Sequence, residues 1–274
     1  MERTPRRRYG LGMQTHTIGD HLREWRQRRR LSQLDLALEA EISTKHLSFL
    51  ETGRAQPSRD MVLRLAERLD VPLRERNVLL VSAGFAPVFP QRPLADPALG
   101  PARKAIDLVL KGHEPYPAIA IDRHWTLVAH NAAVPPLFAG ADAALLEPPV
   151  NVLRLSLHPK GLAPRIANLG EWRAHLLTRL RQQIDVTADG ELVRLLDELS
   201  SYPAPGGAKA PRATVNDEYA VIVVPLRFIT DAGTLSLFST TTIFGTPVDI
   251  TLSELAIESF FPADAATAEL LHGR

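Results

Sequence analysis

Apolar residues in the first third of the chain recur at helical spacing, and capping and stop signals divide them into five short helices. Ser32 and Ser43 are good N-caps for the second and third helices, and Gly53 closes the third. The fifth helix is expected at about residues 73–83. The residues that the first four helices are expected to bury are Ile18, Leu22 and Trp25; Leu34, Ala37 and Leu38; Leu47 and Leu50; and Val62, Leu65, Ala66 and Leu69.

After residue 86 the pattern changes. Five prolines in residues 87–101 block regular structure and indicate an interdomain connection. Helical spacing through Ile106, Val109 and Leu110 follows, and then two short strands joined by a turn, at residues 118–121 and 125–129. Further helices are expected at residues 171–184 and 191–199, and strands at residues 219–228, 234–244 and part of 248–261.

These patterns predict two folded domains, an all-α five-helix domain and an α+β domain, so the fold is α+β overall. Residues before the first helix, which include Arg6, form a basic arm that either touches a partner or reflects a true start at Met13. The predicted segments are a flexible basic arm, the five-helix domain, a proline-rich linker, the α+β domain and a tail, at residues 1–17, 18–86, 87–101, 102–268 and 269–274.

The composition is that of an ordinary globular protein, with 45% hydrophobic and 23% charged residues among 274. The sequence contains no cysteine, which excludes disulfides, thiol catalysis and cysteine-based zinc fingers. No apolar stretch approaches the length of a membrane span, and the basic start lacks the apolar core of a signal peptide. We therefore expect a cytoplasmic protein with no membrane partner.

The net charge of +1 conceals an asymmetry between the two parts of the chain. Residues 1–76 carry 16 Lys and Arg against 11 Asp and Glu, whereas the remaining residues carry 16 against 20. A basic front domain suits a polyanion-binding protein, although a solvated charged surface has the same composition.

The strongest functional signal is the segment at residues 31–58, LSQLDLALEAEISTKHLSFLETGRAQPS. It combines a Ser-Gln start, an alanine on the buried face, a serine-initiated next helix, Leu-Glu-x-Gly after that helix, and Pro-Ser before the following one. This combination resembles the Cro/C1-type, or XRE-type, helix-turn-helix family. The resemblance implies a transcription regulator that binds double-stranded DNA, with the second helix as a brace and the third in the major groove.

Several side chains of this segment are expected to face DNA. The resemblance implies that Gln33 contacts the phosphate backbone from the start of the bracing helix, where the helix dipole favours an anion. Ser43 either caps the third helix, which is its default, or bonds a phosphate, and Arg54 is a phosphate contact in the loop that follows. The predicted DNA-binding residues are Gln33, Ser43, Thr44, Lys45, His46, Ser48 and Arg54.

Four neighbouring residues have open or structural roles. His46 either contacts DNA or lies at the solvent-facing flank of its helix. Phe49 either meets a thymine methyl group or packs against the second domain. Glu51 is expected to be structural. Glu41 stands where many family members have glycine, and a left-handed backbone there costs energy, so a different turn geometry is an open alternative.

A single domain of this kind touches one half-site, which seldom gives enough affinity against competing genomic DNA. We therefore expect a homodimer on an operator that is an inverted repeat.

Four segments of the second domain look like the ligand-binding domain of MmyB-like transcription regulators: GHEPYP, DRHWTLVAHN, NVLRLSLHP and FGTPVD, at residues 112–117, 122–131, 151–159 and 244–249. The resemblance runs over residues 102–268. It implies a PAS-like α+β sensor domain with an apolar pocket, for which a fatty-acid-like ligand is the leading candidate.

Individual ligand-binding residues of this domain stay open. Arg154 and His158, four positions apart, either grip a carboxylate or belong to a surface ion pair or a solvated face. His124 and His130 lack a third ligand at metal spacing, so no metal site is predicted. Four aromatic residues either line a pocket or form an ordinary core, namely Trp125, Trp172, Phe238 and Phe244.

Two other functions remain open for the second domain, a dimerisation or protein-interaction platform and, with less support, a small-molecule enzyme. The sequence holds no Gly-x-Ser-x-Gly elbow, phosphate loop, dinucleotide fingerprint or His-Glu-x-x-His pair. Isolated carboxylates such as Asp217 and Glu218 have no identifiable catalytic partner. We therefore predict no catalytic residues and no cofactor.

Overall fold

The computed structural model describes residues 16–203, 224–245, 247 and 249–273 and divides the chain into two compact units, Met1–Val88 and Phe89–Arg274. The described part of the first unit is helical, and the described part of the second combines helices with a five-stranded sheet. The prediction of an all-α domain followed by a PAS-like α+β domain is confirmed. Most of the predicted basic arm, and the carboxylates Asp217 and Glu218, lie outside the described residues.

The described first unit consists of α1 (Ile18–Arg28), α2 (Gln33–Glu39), α3 (Thr44–Glu51), α4 (Arg59–Arg68) and α5 (Leu73–Ser82). The starts of the first four are fixed by hydroxyl groups that each accept a hydrogen bond from the backbone N–H three residues later. These capping residues are Thr17, Ser32, Ser43 and Ser58.

The buried faces of α1, α3 and α4 are the predicted ones, but the prediction for α2 is wrong at two positions. Leu34 and Leu38 are 56% and 69% exposed, whereas Leu36 and Ala37 are buried. Two apolar stripes fit the local spacing of this seven-residue helix. Packing against α3 and α4 selects the stripe that contains Leu36.

The turn between α2 and α3 holds Glu41 in the left-handed conformation, with φ of 56°. The Glu41 N–H donates to the Leu38 carbonyl at 3.2 Å, and the Ile42 N–H donates to the Ala37 carbonyl at 2.9 Å. This pair of bonds closes a helix C-terminus around a left-handed residue. The turn therefore keeps the geometry typical of glycine, and the alternative geometry is not formed.

The second unit contains helices α6 (Gly100–Gly112), α7 (Val152–Leu157), α8 (Leu169–Thr187), α9 (Gly190–Ser201), α10 (Ile250–Ser253) and α11 (Ala265–His272). Its strands are β1 (Ala118–Ile121), β2 (Leu127–His130), β3 (Leu226–Thr230), β4 (Gly233–Ile243) and β5 (Ala256–Pro262). The predicted hairpin is formed by β1 and β2, but its second strand begins later than expected. Trp125 has φ of 66° and belongs to the turn, because a left-handed residue cannot continue an extended strand.

The strands form one antiparallel sheet in the order β2-β1-β5-β4-β3. All four residues of β1 are buried, since this inner strand is covered on both faces. Ile119 and Ile121 join the core that contains residues of α8 and α9, while Ala118 and Ala120 join a smaller core with residues of α6. Because successive side chains of a strand point to opposite faces of the sheet, β1 contributes residues to both cores.

Part of the predicted linker belongs to the second unit. The Pro90 carbonyl accepts a hydrogen bond from the Ile250 N–H at 2.9 Å, and the Arg92 guanidinium lies 3.1 Å from the Asp249 carboxylate. Pro97–Leu99 forms a short 3-10 helix that leads into α6. The expectation of no regular structure up to residue 101 is wrong here, because proline is well tolerated in the first turn of a helix.

Candidate DNA interface and ligand cavity

Helix α3 turns Leu47 and Leu50 inward and its predicted DNA-binding residues outward. Leu47 and Leu50 are fully buried, and the Ser43 hydroxyl accepts a hydrogen bond from the His46 N–H at 3.1 Å. Ser43 therefore acts as the helix cap, which is its default role. The predicted DNA-binding residues of the helix itself are exposed or half-buried, namely Thr44, Lys45, His46 and Ser48.

The fully buried carboxylate of Glu51, at the end of α3, connects three helices. It accepts hydrogen bonds from Arg26 Nε at 2.6 Å, Arg26 Nη2 at 2.9 Å and Gln33 Nε2 at 2.8 Å, and Arg23 Nε lies 3.9 Å away. Burial raises the pKa of Glu51, but the hydrogen bonds from Arg26 and Gln33 and the charges of both arginines outweigh it, so the net pKa is lowered. The predicted structural role of Glu51 is confirmed.

Gln33 is placed at the start of the bracing helix by this same network. Its side-chain amide is oriented by Glu51, and the backbone around it is closed by Ser32, whose N–H donates to Asp35 Oδ2 at 2.9 Å. One N–H of the amide is committed to Glu51, which leaves the second N–H as a further donor.

Lys45, Phe49 and Arg54 form a compact group that we call the α3 cation patch. The Lys45 ammonium lies 5.7 Å and the Arg54 guanidinium carbon 5.9 Å from the centroid of the half-buried Phe49 ring. Both cations lie within the roughly 6 Å of the ring centroid over which cation–π attraction acts. The patch brings two predicted DNA-binding residues together around the aromatic residue whose role the sequence left open.

Sequence reasoning did not find the arginine that holds Glu51. A buried acidic residue requires a cationic partner, but the burial of Glu51 is known only from the structure. The segment from α1 to Arg30 contains five arginines, and the sequence spacing does not single out Arg26 among them. The choice depends on how α1 crosses α3.

The second unit encloses an apolar cavity of about 100 Å³ between the sheet and helices α7 and α8. Large apolar side chains form most of its wall, including Ile119, Leu153, Phe228 and Leu237. Trp125 and Trp172, two of the four aromatic residues singled out from the sequence, also line it. Phe238 instead stacks on Phe261 at 5.4 Å, and Phe244 packs against the smaller core with α6.

Four polar residues reach this cavity, namely Ser156, Arg179, Ser239 and Glu258. Arg179 Nη2 donates to Glu258 Oε1 at 2.5 Å, and the Arg179 guanidinium stacks over the Trp125 ring at 5.0 Å. The Ser156 hydroxyl accepts a hydrogen bond from Trp172 Nε1 at 3.0 Å. The cavity thus has an apolar body and a polar end at Arg179, Glu258 and Ser239, while Ser156 lies apart beside Trp172, two turns earlier on α8.

The polar residues that the sequence analysis considered as carboxylate or metal ligands are engaged elsewhere. Arg154 forms a two-pronged ion pair with Glu198, with distances of 2.8 and 2.7 Å, so the ion-pair alternative is the one observed. His158 meets Tyr202 edge-on at 5.1 Å. His124 Nε2 lies 2.9 Å from Asp189, and His130 Nδ1 lies 2.9 Å from the Asn131 carbonyl oxygen.

Comparison with known families assigns both units. Residues 102–272 match the model of the MmyB-like transcription regulator ligand binding domain, which covers more than half of the chain. The chain belongs to the MmyB-like transcription regulators. Residues 22–76 of this MmyB-like regulator match the helix-turn-helix model. Both resemblances read from the sequence are confirmed, and the protein is a DNA-binding transcription regulator with a ligand-binding domain.

Other comparisons add little to this assignment. The crystal structure of the clp gene regulator ClgR from Corynebacterium glutamicum is similar at 23% identity, over 36% of the MmyB-like regulator and 90% of that chain, with a TM-score of 0.22. A comparison with curated proteins gave no match. Among the helices that the structure describes, none is long and apolar enough to cross a membrane.

Proposed function

We propose that the MmyB-like regulator binds operator DNA through α3 as a homodimer on an inverted repeat, and that an apolar ligand in the second unit controls this binding. The observation that carries the ligand part is the apolar cavity with one polar end between the sheet and helices α7 and α8. This function places the regulator in the cytoplasm.

The DNA part of the proposal rests on the outward face of α3 and its flanks. The α3 cation patch supplies two charges that suit phosphate oxygens, and Phe49 beside them offers an apolar contact for a thymine methyl group. Thr44, His46 and Ser48 supply the polar groups for base edges, and Gln33 contacts the backbone from the bracing helix.

The ligand part favours a fatty-acid-like amphiphile, because a mostly apolar wall ends in a few polar groups. The cavity of about 100 Å³ is smaller than the roughly 150 Å³ of an engineered cavity that takes up benzene. The cavity is partly open, so a chain of about ten carbons fits inside it completely only if the walls move. Such movement gives a ligand different affinities for two conformations of the protein, which is the requirement for coupling to DNA.

The test is a titration of the full chain with operator DNA, obtained by selection from a random pool, at fixed salt concentration. Each amphiphile that binds the protein is then added at saturation, and the dissociation constant for DNA is measured again. We expect a change of about fivefold or more, the usual lower range of allosteric coupling. If no bound amphiphile changes the affinity for operator DNA, the sensor function is rejected and the dimerisation platform is favoured.

A separate assay distinguishes the sensor from an enzyme. The bound amphiphile is recovered after prolonged incubation with the full chain and its mass is measured. If the domain is a sensor, the recovered molecule keeps its original mass. A changed mass shows chemical turnover and supports the enzyme alternative.

A further inference from the structure

The polar end of the cavity is an ion pair that is already complete. The Glu258 side chain is 4% exposed, and its two carboxylate oxygens accept hydrogen bonds from Arg179 Nη2 and Nη1 at 2.5 and 3.3 Å. The Thr241 hydroxyl donates to Glu258 Oε1 at 2.8 Å, and Arg179 Nη2 also donates to this hydroxyl oxygen at 3.1 Å. The positive charge at this end of the cavity is therefore matched by a buried negative charge.

His175, one turn before Arg179 on α8, does not alter this balance. Burial lowers the pKa of His175, and the positive charge of Arg179 lowers it further, against a smaller opposing effect of Glu258. The imidazole is therefore neutral at neutral and alkaline pH. The net charge of the Arg179, Glu258 and His175 group is then zero.

A ligand carboxylate at this end of the cavity brings a second buried negative charge beside Glu258. Such a charge is costly unless a cation pairs with it, and Arg179 is already paired. An uncharged polar group meets no such cost. A guanidinium has five N–H groups, of which the described bonds of Arg179 use three, so Arg179 can still donate to an uncharged ligand oxygen.

We infer that the cavity selects amphiphiles whose polar group is an uncharged oxygen, such as long-chain alcohols, esters or amides, over the carboxylate of the same chain length. The Arg179–Glu258 pair is the specificity determinant. This inference rests on the proposed function, because it names the class of ligand for the same cavity.

The first measurement compares 1-decanol with sodium decanoate at about pH 8, where a carboxylic acid is ionised. Isothermal titration calorimetry of the full wild-type chain gives the two dissociation constants. We expect decanol to bind at least about tenfold more tightly than decanoate, since only decanoate adds an unpaired charge.

The second measurement uses Glu258→Gln, which keeps the shape and one acceptor oxygen of the side chain. The substitution removes the negative charge that pairs with Arg179. We expect the ratio of decanoate to decanol affinity to rise by at least about tenfold, because Arg179 then pairs with the ligand carboxylate. Glu198→Gln is the matched control. It breaks the Arg154–Glu198 pair, which does not line the cavity, and leaves the ratio unchanged.

The outcomes separate this inference from the proposed function. If decanoate binds the wild type as tightly as decanol does, the inference is wrong, but the proposed sensor function is unaffected. A Glu258→Gln variant that folds but keeps the wild-type ratio also overturns it. If that variant does not fold, the wild-type comparison decides alone. If neither probe binds, both the inference and the proposed apolar ligand are wrong.

Discussion

At Glu41 a side chain occupies a backbone conformation that glycine adopts without steric cost. Glu41→Gly removes this cost, about 1–2 kcal/mol for a residue with a Cβ atom, and adds a smaller entropic cost because glycine has more freedom in the unfolded chain. We expect a net stabilisation of about 0.5 kcal/mol, seen as slower hydrogen exchange of the α2 and α3 amides in the full chain.

The matched control for this change is Glu67→Gly, at an exposed helical position of α4. Glycine there lacks the compensating relief of strain and destabilises the helix by about 1 kcal/mol. Faster exchange in α2 and α3 of the Glu41→Gly protein contradicts the strain argument.

Lys45 is the exposed cation at the start of α3, and its ammonium is held near the Phe49 ring. If it contacts a phosphate, Lys45→Ala weakens binding to every DNA sequence by a similar factor and lowers the slope of log affinity against log salt by about 1. Fluorescence anisotropy with operator and unrelated DNA at several salt concentrations measures both effects.

The control for Lys45 is Lys104→Ala, an exposed lysine on α6 of the second unit. We expect it to leave both slope and affinity unchanged. If the Lys45→Ala protein unfolds at the wild-type temperature and binds operator with wild-type affinity, Lys45 is not part of the DNA interface. The same comparison applied to Gln33→Ala tests the predicted backbone contact from α2.

Helices α1 and α3 approach closely where Gly19 meets the end of α3. A Cβ atom at Gly19 lies 2.6 Å from the Leu50 carbonyl oxygen and 2.7 Å from that of Glu51, and backbone atoms cannot rotate away as a side chain does. Gly19→Ala therefore forces the helices apart and destabilises the first unit by about 1–3 kcal/mol. Urea denaturation of the full chain measures this loss in the transition of the first unit.

Gly112, at the C-terminal end of α6, is the control for Gly19. A Cβ atom there meets nothing within 4 Å, so Gly112→Ala is expected to be neutral or slightly stabilising. Equal unfolding midpoints for Gly19→Ala and the wild type contradict the close approach of α1 and α3.

Acid is expected to loosen the three helices that Glu51 joins. The pKa of Glu51 is lowered in the folded chain, so its ionised form stabilises the fold above its unfolded pKa of about 4.3, and this contribution is lost as pH falls through the lower folded pKa. At about pH 7, Glu51→Gln is expected to cost on the order of 2 kcal/mol, because Arg26 loses its charged partner.

The measurement for Glu51 is the free energy of unfolding of the wild type and Glu51→Gln between about pH 7 and pH 3. The difference between them narrows as the pH falls, since protonated Glu51 resembles glutamine. Glu67→Gln, on the exposed face of α4, is the control and stays close to the wild type throughout. A difference that does not vary with pH rejects ionised Glu51 as the source of the stability.

At the scale of the whole molecule, local signals in the sequence predicted more than long-range ones. Serine caps, the glycine stop and apolar spacing located the five helices that the structure describes in the first unit, because each signal acts within a few residues. The inward stripe of α2 was missed, since Leu36 is selected by neighbours and not by its own helix. The cavity was predicted only through family resemblance. Its ion pair joins Arg179 and Glu258, 79 positions apart, which no spacing rule connects.

The last prediction follows from coupling between the two units. If a ligand changes operator affinity by some factor, operator DNA changes ligand affinity by the same factor, because the two binding free energies share one thermodynamic cycle. We expect the dissociation constant of 1-decanol, measured with saturating operator DNA, to shift by the factor found in the DNA titration. Unrelated DNA at concentrations below its own dissociation constant is the control and gives no shift. Unequal factors show that the amphiphile acts on DNA binding at a second site or through aggregation, because one cavity coupled to one DNA interface allows only a single coupling constant.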